Sequence, residues 1–511
     1  MGGGRCARDA PSILSGLASQ PLVNDDPDSP RRPQRIDLRP MEQQRVAHEP
    51  FSDATLIWDG EPMRGAGLAD AMGAQGDGDE PFDPGRVTMR FRDGNQALVA
   101  MPWDRPLDGW SPRDLEFVDL PVGASRHIVR FTIVDGAIIA LKELPQEVGQ
   151  KEYEVLRELE SRGAPSVRAC GLVTRTGDAS SIILTRYLAR SFQFRRLFMR
   201  LPEGEHRYRD QLLDAMTGLL VDLHRMGLFW GDCSLANTLL MRDGQRLQAY
   251  LVDAETSEIH PRLSDGQREA DLEIAIENVA GDLADMAALN GKSMEDIDDD
   301  FEAALSLRDR YERLWEVLHQ DVTIHPDKRY RVDKRLKALH ELGYVVDEVI
   351  LEPGEDGTED LRLRVSVAGR DYHSSRLRQL TGIEAGEGQS AILLNDLTAW
   401  AGMGWAGDWE TKEGESGRTL TRHDGARWML EIFEPLVAQL IEALGPDIDP
   451  VQAYCDLLEV RWLLSEQAGH DVGNAVALRT MAKAETPAGS AAQMAGVETP
   501  SEPRRLGWKR P

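Results

Sequence analysis

Cysteine is scarce in this 511-residue chain, and its four copies lie far apart at Cys6, Cys170, Cys233 and Cys455. No Cys-x-x-Cys pair occurs, so neither a disulfide framework nor a cysteine-built zinc site is expected. Long apolar runs are missing too: nothing approaches the ~20 residues that a membrane-spanning helix needs. Basic charge is outnumbered, 59 Lys and Arg against 87 Asp and Glu, for a net charge of −28. A field of that sign opposes phosphate contacts, so the chain is expected to be a poor general binder of DNA, RNA or anionic membranes. Any nucleotide site then needs cations of its own. No charged-then-apolar signal pattern opens the chain, and Cys6 stands where a myristoylation signal after Met1-Gly2 wants Ser or Thr. A cytoplasmic protein is expected.

What is present points to an α+β protein of more than one domain, with a 41% hydrophobic fraction sufficient for sizeable cores. Residues 1–86 are rich in Gly, Pro, Asp and Arg and bury too little to offset their ordering cost, so a mostly disordered arm is expected, with at most a short docked strand or helix. Alternation begins at Val87-Thr-Met-Arg-Phe-Arg92 and recurs at Phe117–Leu120 and His127–Val134. Asp135-Gly136 is a hairpin signal, and Ala137-Ile-Ile-Ala-Leu-Lys142 is the return strand. Pro145 can open a helix whose Tyr153, Leu156 and Leu159 share an apolar face, and Ser180–Leu188 reads as a further strand. The pattern predicts a strand-rich stretch over 87–188, a helical one over 189–325, a mostly helical α/β extension over 326–478 and a disordered tail over 479–511.

Within the helical part, Leu212, Leu213, Met216, Leu219, Leu220 and Leu223 recur at helical spacing and deliver the chain into a tight loop. That loop carries Asp232 and Asn237, and Asp253 ends the apolar run Tyr250-Leu-Val. Two carboxylates and an amide on adjoining loops can hold Mg²⁺ against a nucleotide's phosphates while one carboxylate receives an acceptor's proton. Capping acids on a surface loop are the bland alternative. Leu263–Gly281 and Asn278–Leu289 read as helices, with Asp282 either a brace for the loop or a helix-surface acid. Phe301–His319 reads as another, after a solvated charge run at Glu295–Asp300.

The set Leu223-His224-x-x-Gly227, Asp232-x-x-x-x-Asn237 and Asp253 resembles the loops of the protein-kinase-like fold. The likeness implies that 87–188 and 189–325 are the antiparallel-sheet and helical lobes of one fold. That resemblance implies Asp232 as the catalytic Asp, Asn237 and Asp253 as metal ligands, and Lys142 as the phosphate-binding lysine. It implies a helix glutamate paired with Lys142, with Glu152 fitting best and Glu147 and Glu154 as alternatives. Trp230-Gly231 stands where protein kinases carry His-Arg, and Ala254-Glu255 replaces Phe-Gly. Gly231 and Ser234 are more similar to aminoglycoside phosphotransferases, choline kinases and RIO-type kinases. The choline-kinase D-x-E pattern implies Glu255 as a further metal contact. Missing Arg at position 231 implies a loop that needs no activation-segment phosphate. Only Gly123 occurs in Pro121-Val-Gly-Ala-Ser-Arg126, so the phosphate cover would rest on Gly123, Ser125 and Arg126.

Residues 101–472 also resemble a bacterial family of unknown function with similarity to lipopolysaccharide kinases of the Kdo kinase type. The carrying segments are Met101-Pro-Trp-Asp104, Ser125–Phe131, Leu393-Leu-Asn-Asp396, Arg427-Trp428, Phe433-Glu-Pro435 and Arg461–Glu466. The resemblance implies ATP- and Mg²⁺-dependent phosphoryl transfer to a hydroxyl on a small molecule or glycoconjugate, with a neutral or cationic acceptor favoured by the acidic surface. A helix, hairpin and basic helix after Tyr330 suggest a nucleic-acid module, which the acidic surroundings oppose. The competing class is a kinase-like scaffold that binds a protein partner through its C-terminal extension.

Overall fold

The computed structural model describes residues 34–36, 87–92, 96–120, 126–175, 179–200, 206–289, 294–325, 330–353, 361–402, 420–487, 490 and 504–506. The expected disordered arm lies outside these residues except for Gln34–Ile36, and so do Gly123 and Ser125. Two compact units divide the chain. The larger joins Arg39–Gln320 to Ala443–Pro511, and the smaller joins Met1–Leu38 to Asp321–Glu442. The stretch expected to form one extension, 326–478, is therefore shared between them.

The larger unit begins with an antiparallel sheet. Its strands are β1 (Val87–Phe91), β2 (Phe117–Asp119), β3 (Val129–Val134), β4 (Ala137–Pro145), β5 (Ala169–Arg175) and β6 (Ser180–Arg186). The spatial order is β2-β3-β4-β6-β5-β1, with Arg504–Leu506 added on the outer edge of β2. Within the expected tail, this strand and the end of a helix over Asn474–Ala482 are the described elements. Asp135 and Gly136 both take positive φ, 49° and 78°, the conformation a two-residue I′ hairpin requires. One sheet face packs Leu141, Ile182 and Leu184 against Trp103, Leu107 and Trp110. The apolar run at Ala97–Trp103 is a helical turn, Gln96–Val99, followed by a loop in which Trp103 Nε1 donates to the Leu98 carbonyl at 2.7 Å. Helix α1 (Gln146–Ser161) follows Pro145 and buries Tyr153, Val155, Leu156 and Leu159.

The helical lobe follows through β7 (Phe192–Gln193), α2 (Phe194–Arg200) and α3 (His206–Arg225). All six apolar α3 positions picked out by spacing are buried. Four short strands come next: β8 (Leu228–Phe229), β9 (Thr238–Asp243), β10 (Arg246–Leu251) and β11 (Glu258–Ile259). β9 pairs with β10, and β8 with β11. One loop runs from β8 to β9 and another from β10 to β11, so the two pairings pin both loops side by side. Helix α4 (Asp265–Leu289) is one continuous element where two were expected, and α5 (Met294–His319) absorbs the charge run. Among the described residues no helix is long and apolar enough to cross a membrane.

The chain returns to this unit at a helix over Pro450–Ala468, which begins and ends where sequence signals put it. Asp449 accepts the N–H groups of Val451 and Gln452, Pro450 fills the first turn, and Gly469 closes the helix at φ 72°. Its Asp456 takes both terminal nitrogens of Arg242 on β9, at 2.9 and 2.7 Å. Its Gln452 exchanges hydrogen bonds with the backbone of Gly244 in the hairpin turn. These contacts hold the segment after Ala443 on the larger unit.

In the smaller unit, Gln34–Ile36, Val346–Pro353, Leu361–Val367 and Val322–Ile324 form a four-stranded antiparallel sheet in that order. Ile324, Val349 and Leu363 are its buried centre, packed by Val332 and Leu336 of the helix Tyr330–Glu341. The helical stretch from Arg422 to Leu444 contains a π-helical turn at Met429–Phe433, the kind of local insertion that widens one turn of an α-helix.

Candidate active site

Lys142 lies near the end of β4, where its ammonium meets three carboxylates. It stands 2.6 Å from Asp253 Oδ2, 3.3 Å from Glu152 Oε2 and 3.4 Å from Glu255 Oε2. Of the three glutamates weighed from sequence, Glu152 is the one that reaches Lys142, because it sits on the buried face of α1 at 1% exposure. Glu154 is on the exposed side and receives Gln150. Burial works against the Lys142 ammonium, yet Glu152 and Asp253 hold its pKa above the ordinary lysine value. Burial likewise pushes Glu152 up to about 7, opposed by Lys142 and reinforced by Asp253. The carboxylates therefore outnumber the cations they surround.

Asp232 and Asn237 face this group from the β8–β9 loop. Asn237 Nδ2 donates to the Asp232 carbonyl at 3.1 Å and to its Oδ2 at 3.0 Å. That leaves the Asn237 amide oxygen as the hard donor of the side chain. The Ser234 hydroxyl, in the position where protein kinases place a lysine, accepts Asn237 N–H and so shapes the turn. Burial raises the Asp232 pKa, with the hydrogen bond from Asn237 opposing and the charge of Asp253 adding to the rise.

Arg126 and His127 approach Glu255 from the other side. His127 Nε2 is 3.1 Å from Glu255 Oε2, and the largely exposed Arg126 guanidinium is 3.7 Å from Oε1. Glu255 thus bridges Lys142 to the segment between the expected phosphate cover and β3. His127 was read from sequence as the start of a strand and as part of the segment Ser125–Phe131 that carries the family resemblance, with no site role.

Sequence reasoning also passed over Asp271, beneath the loop. Asp271 on α4 is fully buried and accepts Trp230 N–H at 2.6 Å, Gly231 N–H at 2.8 Å and His224 Nε2 at 3.0 Å. A carboxylate can only accept, so Nε2 of His224 carries the proton and Nδ1 takes the Tyr311 hydroxyl at 2.7 Å. Burial, opposed by Arg268, holds the Tyr311 phenol up at about 12, consistent with a hydroxyl that donates. Asp282 accepts Leu235 N–H at 2.9 Å and so braces the loop, which corrects its reading as a simple helix-surface acid. The signal that could have found Asp271 is a lone acid on the apolar face of a long helix.

Mg²⁺ in nucleotide sites is held by one or two protein carboxylates with substrate phosphates and water completing the shell. Among the described residues no group of three or more His, Cys, Asp or Glu is arranged to hold a metal alone. The donor set of Asn237 and Asp253, in a site with surplus negative charge, fits that divided arrangement.

The sheet lobe carrying Lys142 and the helical lobe carrying Asp232 and Asp253 define the class: an α+β, two-lobed, protein-kinase-like fold. Residues 138–279 match the model of the Lipopolysaccharide kinase (Kdo/WaaP) family. Residues 313–485 match the model of a Domain of unknown function (DUF4032), and both agree with the resemblance read from the sequence. A solved structure titled "WaaP in complex with acyl carrier protein" aligns over 39% of this chain and 90% of that chain, at 20% identity and a TM-score of 0.27. No curated protein matches.

Proposed function

We propose that the protein is an ATP- and Mg²⁺-dependent phosphotransferase acting on a hydroxyl of a small molecule or glycoconjugate. The observation that carries this reading is the convergence of Lys142, Glu152 and Asp253 on one side with Asp232 and Asn237 on the other. Phosphoryl transfer demands positioning and charge neutralisation more than covalent chemistry, and this group is equipped for both. Lys142 would bind the α- and β-phosphates, and Glu152 would orient it. Arg126 would add a cation at the phosphate entrance. Asn237 and Asp253, with Glu255 nearby, would hold Mg²⁺, whose chemistry is neutralisation of phosphate charge. Asp232 would align the acceptor hydroxyl and take its proton as the new O–P bond forms and the β–γ bridging bond breaks, releasing ADP. Its raised pKa suits a proton acceptor better than an ordinary aspartate.

The family match over 138–279 supports a glycoconjugate acceptor. Binding of Mg·ATP to the full chain tests the nucleotide reading, and a folded protein that binds none at millimolar concentration refutes it. Labelled ATP with a fractionated cell extract tests the acceptor. Label found only in protein bands overturns the small-molecule and glycoconjugate assignment. Asp232→Ala should lower turnover at least ~10²-fold; a cellular role that survives both Asp232→Ala and Asp253→Ala favours the scaffold instead.

A further inference from the structure

Helix α4 carries three polar side chains spaced seven and four residues apart, Asp271, Asn278 and Asp282. At ~3.6 residues per turn these spacings place all three on one stripe. They meet the β8–β9 loop in sequence order. Asp271 takes the N–H groups of Trp230 and Gly231, Asn278 meets Asp232 and Cys233, and Asp282 takes that of Leu235. The helix therefore acts as a ruler along the loop, and its middle mark falls on Asp232.

Asn278 Nδ2 donates to Asp232 Oδ1 at 3.1 Å and to the Cys233 carbonyl at 3.2 Å. Both partners can only accept, which fixes the amide orientation: the NH₂ group faces them. Asp232 Oδ2 is already taken by Asn237. Each carboxylate oxygen thus receives one amide N–H from a different element, Asn237 from the loop itself and Asn278 from α4. Two donors on opposite oxygens define the plane of a carboxylate, whereas one leaves it free to rotate about its last bond.

We propose that Asn278 is a positioning residue that sets the plane of the Asp232 carboxylate and hence the direction from which an acceptor hydroxyl is met. This inference rests on the phosphotransfer reading above. It assigns Asn278 no contact with the nucleotide, so loss of its amide acts on turnover and leaves Mg·ATP affinity alone.

The test uses the full chain, Mg·ATP as ligand, and slow release of phosphate to water as the turnover readout. Asn278→Asp keeps the shape of the side chain and removes the donor, while Asn278→Ala removes both. Each is expected to lower kcat at least about tenfold, with the Mg·ATP Kd within twofold of wild type. Urea unfolding of Asn278→Ala, Asp232→Ala and the double variant supplies a reading independent of activity. A coupling of about fivefold in the unfolding constant is expected from a direct contact. Equal kcat in wild type and Asn278→Asp, or absence of coupling, overturns the inference while the phosphotransfer reading stands. A wild-type chain that binds no Mg·ATP overturns both.

Discussion

Lys142 and Asp253 are 111 residues apart in the chain and 2.6 Å apart in space. That contact joins the sheet lobe to the loop between β10 and β11, and Glu152 stands behind it on α1. The arrangement makes Glu152 sensitive to pH. Its carboxyl rises on folding from 4.5 to about 7, through burial first, with Lys142 opposing and Asp253 reinforcing. A group raised in this way contributes stability that is complete below its unfolded pKa and is lost as pH climbs through 7. Glu152→Gln has no such dependence. Its stability relative to wild type should therefore improve between pH 5 and pH 8 in urea unfolding. A constant difference across that range refutes the prediction.

Asp271 should matter for stability more than its neighbour Asp282. Asp271→Ala leaves the Trp230 and Gly231 N–H groups and the His224 ring without their buried acceptor. Loss of about 3–5 kcal/mol is expected, in the range for breaking a buried charged network. Asp282→Ala strands one N–H, that of Leu235, and should cost about 1–3 kcal/mol. Chemical denaturation of both variants measures the ranking, and equal losses would be inconsistent with it.

The two glycines flanking Phe229 should rank in the same way. Gly231 takes φ 76°, and an added Cβ would meet the Phe229 ring at 3.3 Å and the Thr256 carbonyl at 3.4 Å. Gly231→Ala should lose about 1–2 kcal/mol, the cost of a left-handed residue. Gly227 takes φ 82°, and its Cβ would sit 2.1 Å from the His260 carbonyl oxygen. Gly227→Ala must therefore move backbone as well, and its melting temperature should fall at least twice as far.

Asp456→Ala should destabilise the larger unit by about 3–5 kcal/mol, because it leaves the Arg242 guanidinium without its bidentate partner at a mostly buried site. Differential scanning calorimetry of the full chain reads this loss. The transition of the smaller unit should not move with it.

Much of this architecture was legible because its signals are local. Asp135-Gly136, the α3 leucines and the Asp449-Pro450 cap each specify their element within a few residues. Asp232, Asn237 and Asp253 were picked out by their spacing on adjoining loops, whereas Lys142 came only through the kinase-like resemblance, since a strand-end lysine by itself reads as a solvent-side residue. What escaped is non-local. Nothing near Asn278 in sequence indicates that it meets Asp232, and Asp271, though its place on an apolar helix face marks it out, has partners on other elements that its neighbours in sequence do not reveal. The helix Pro450–Ala468 shows correct caps, but its attachment to Arg242 depends on side chains more than two hundred residues away.

The discontinuity of the larger unit sets an order on biosynthesis. Residues up to Gln320 leave the ribosome without the helix that holds Arg242, and the whole of 321–442 must be translated first. At ~5–20 residues per second, roughly 7–30 s separate Gln320 from the end of that helix. During this interval Arg242 and the hairpin backbone at Gly244 lack the contacts of that helix, while the smaller unit has all of its own sequence sooner. Nascent chains arrested after Glu442 should therefore be protease-sensitive around the β9–β10 hairpin and become resistant once arrested beyond Gly469. Resistance already present at the earlier arrest point would show that the hairpin needs no such cover.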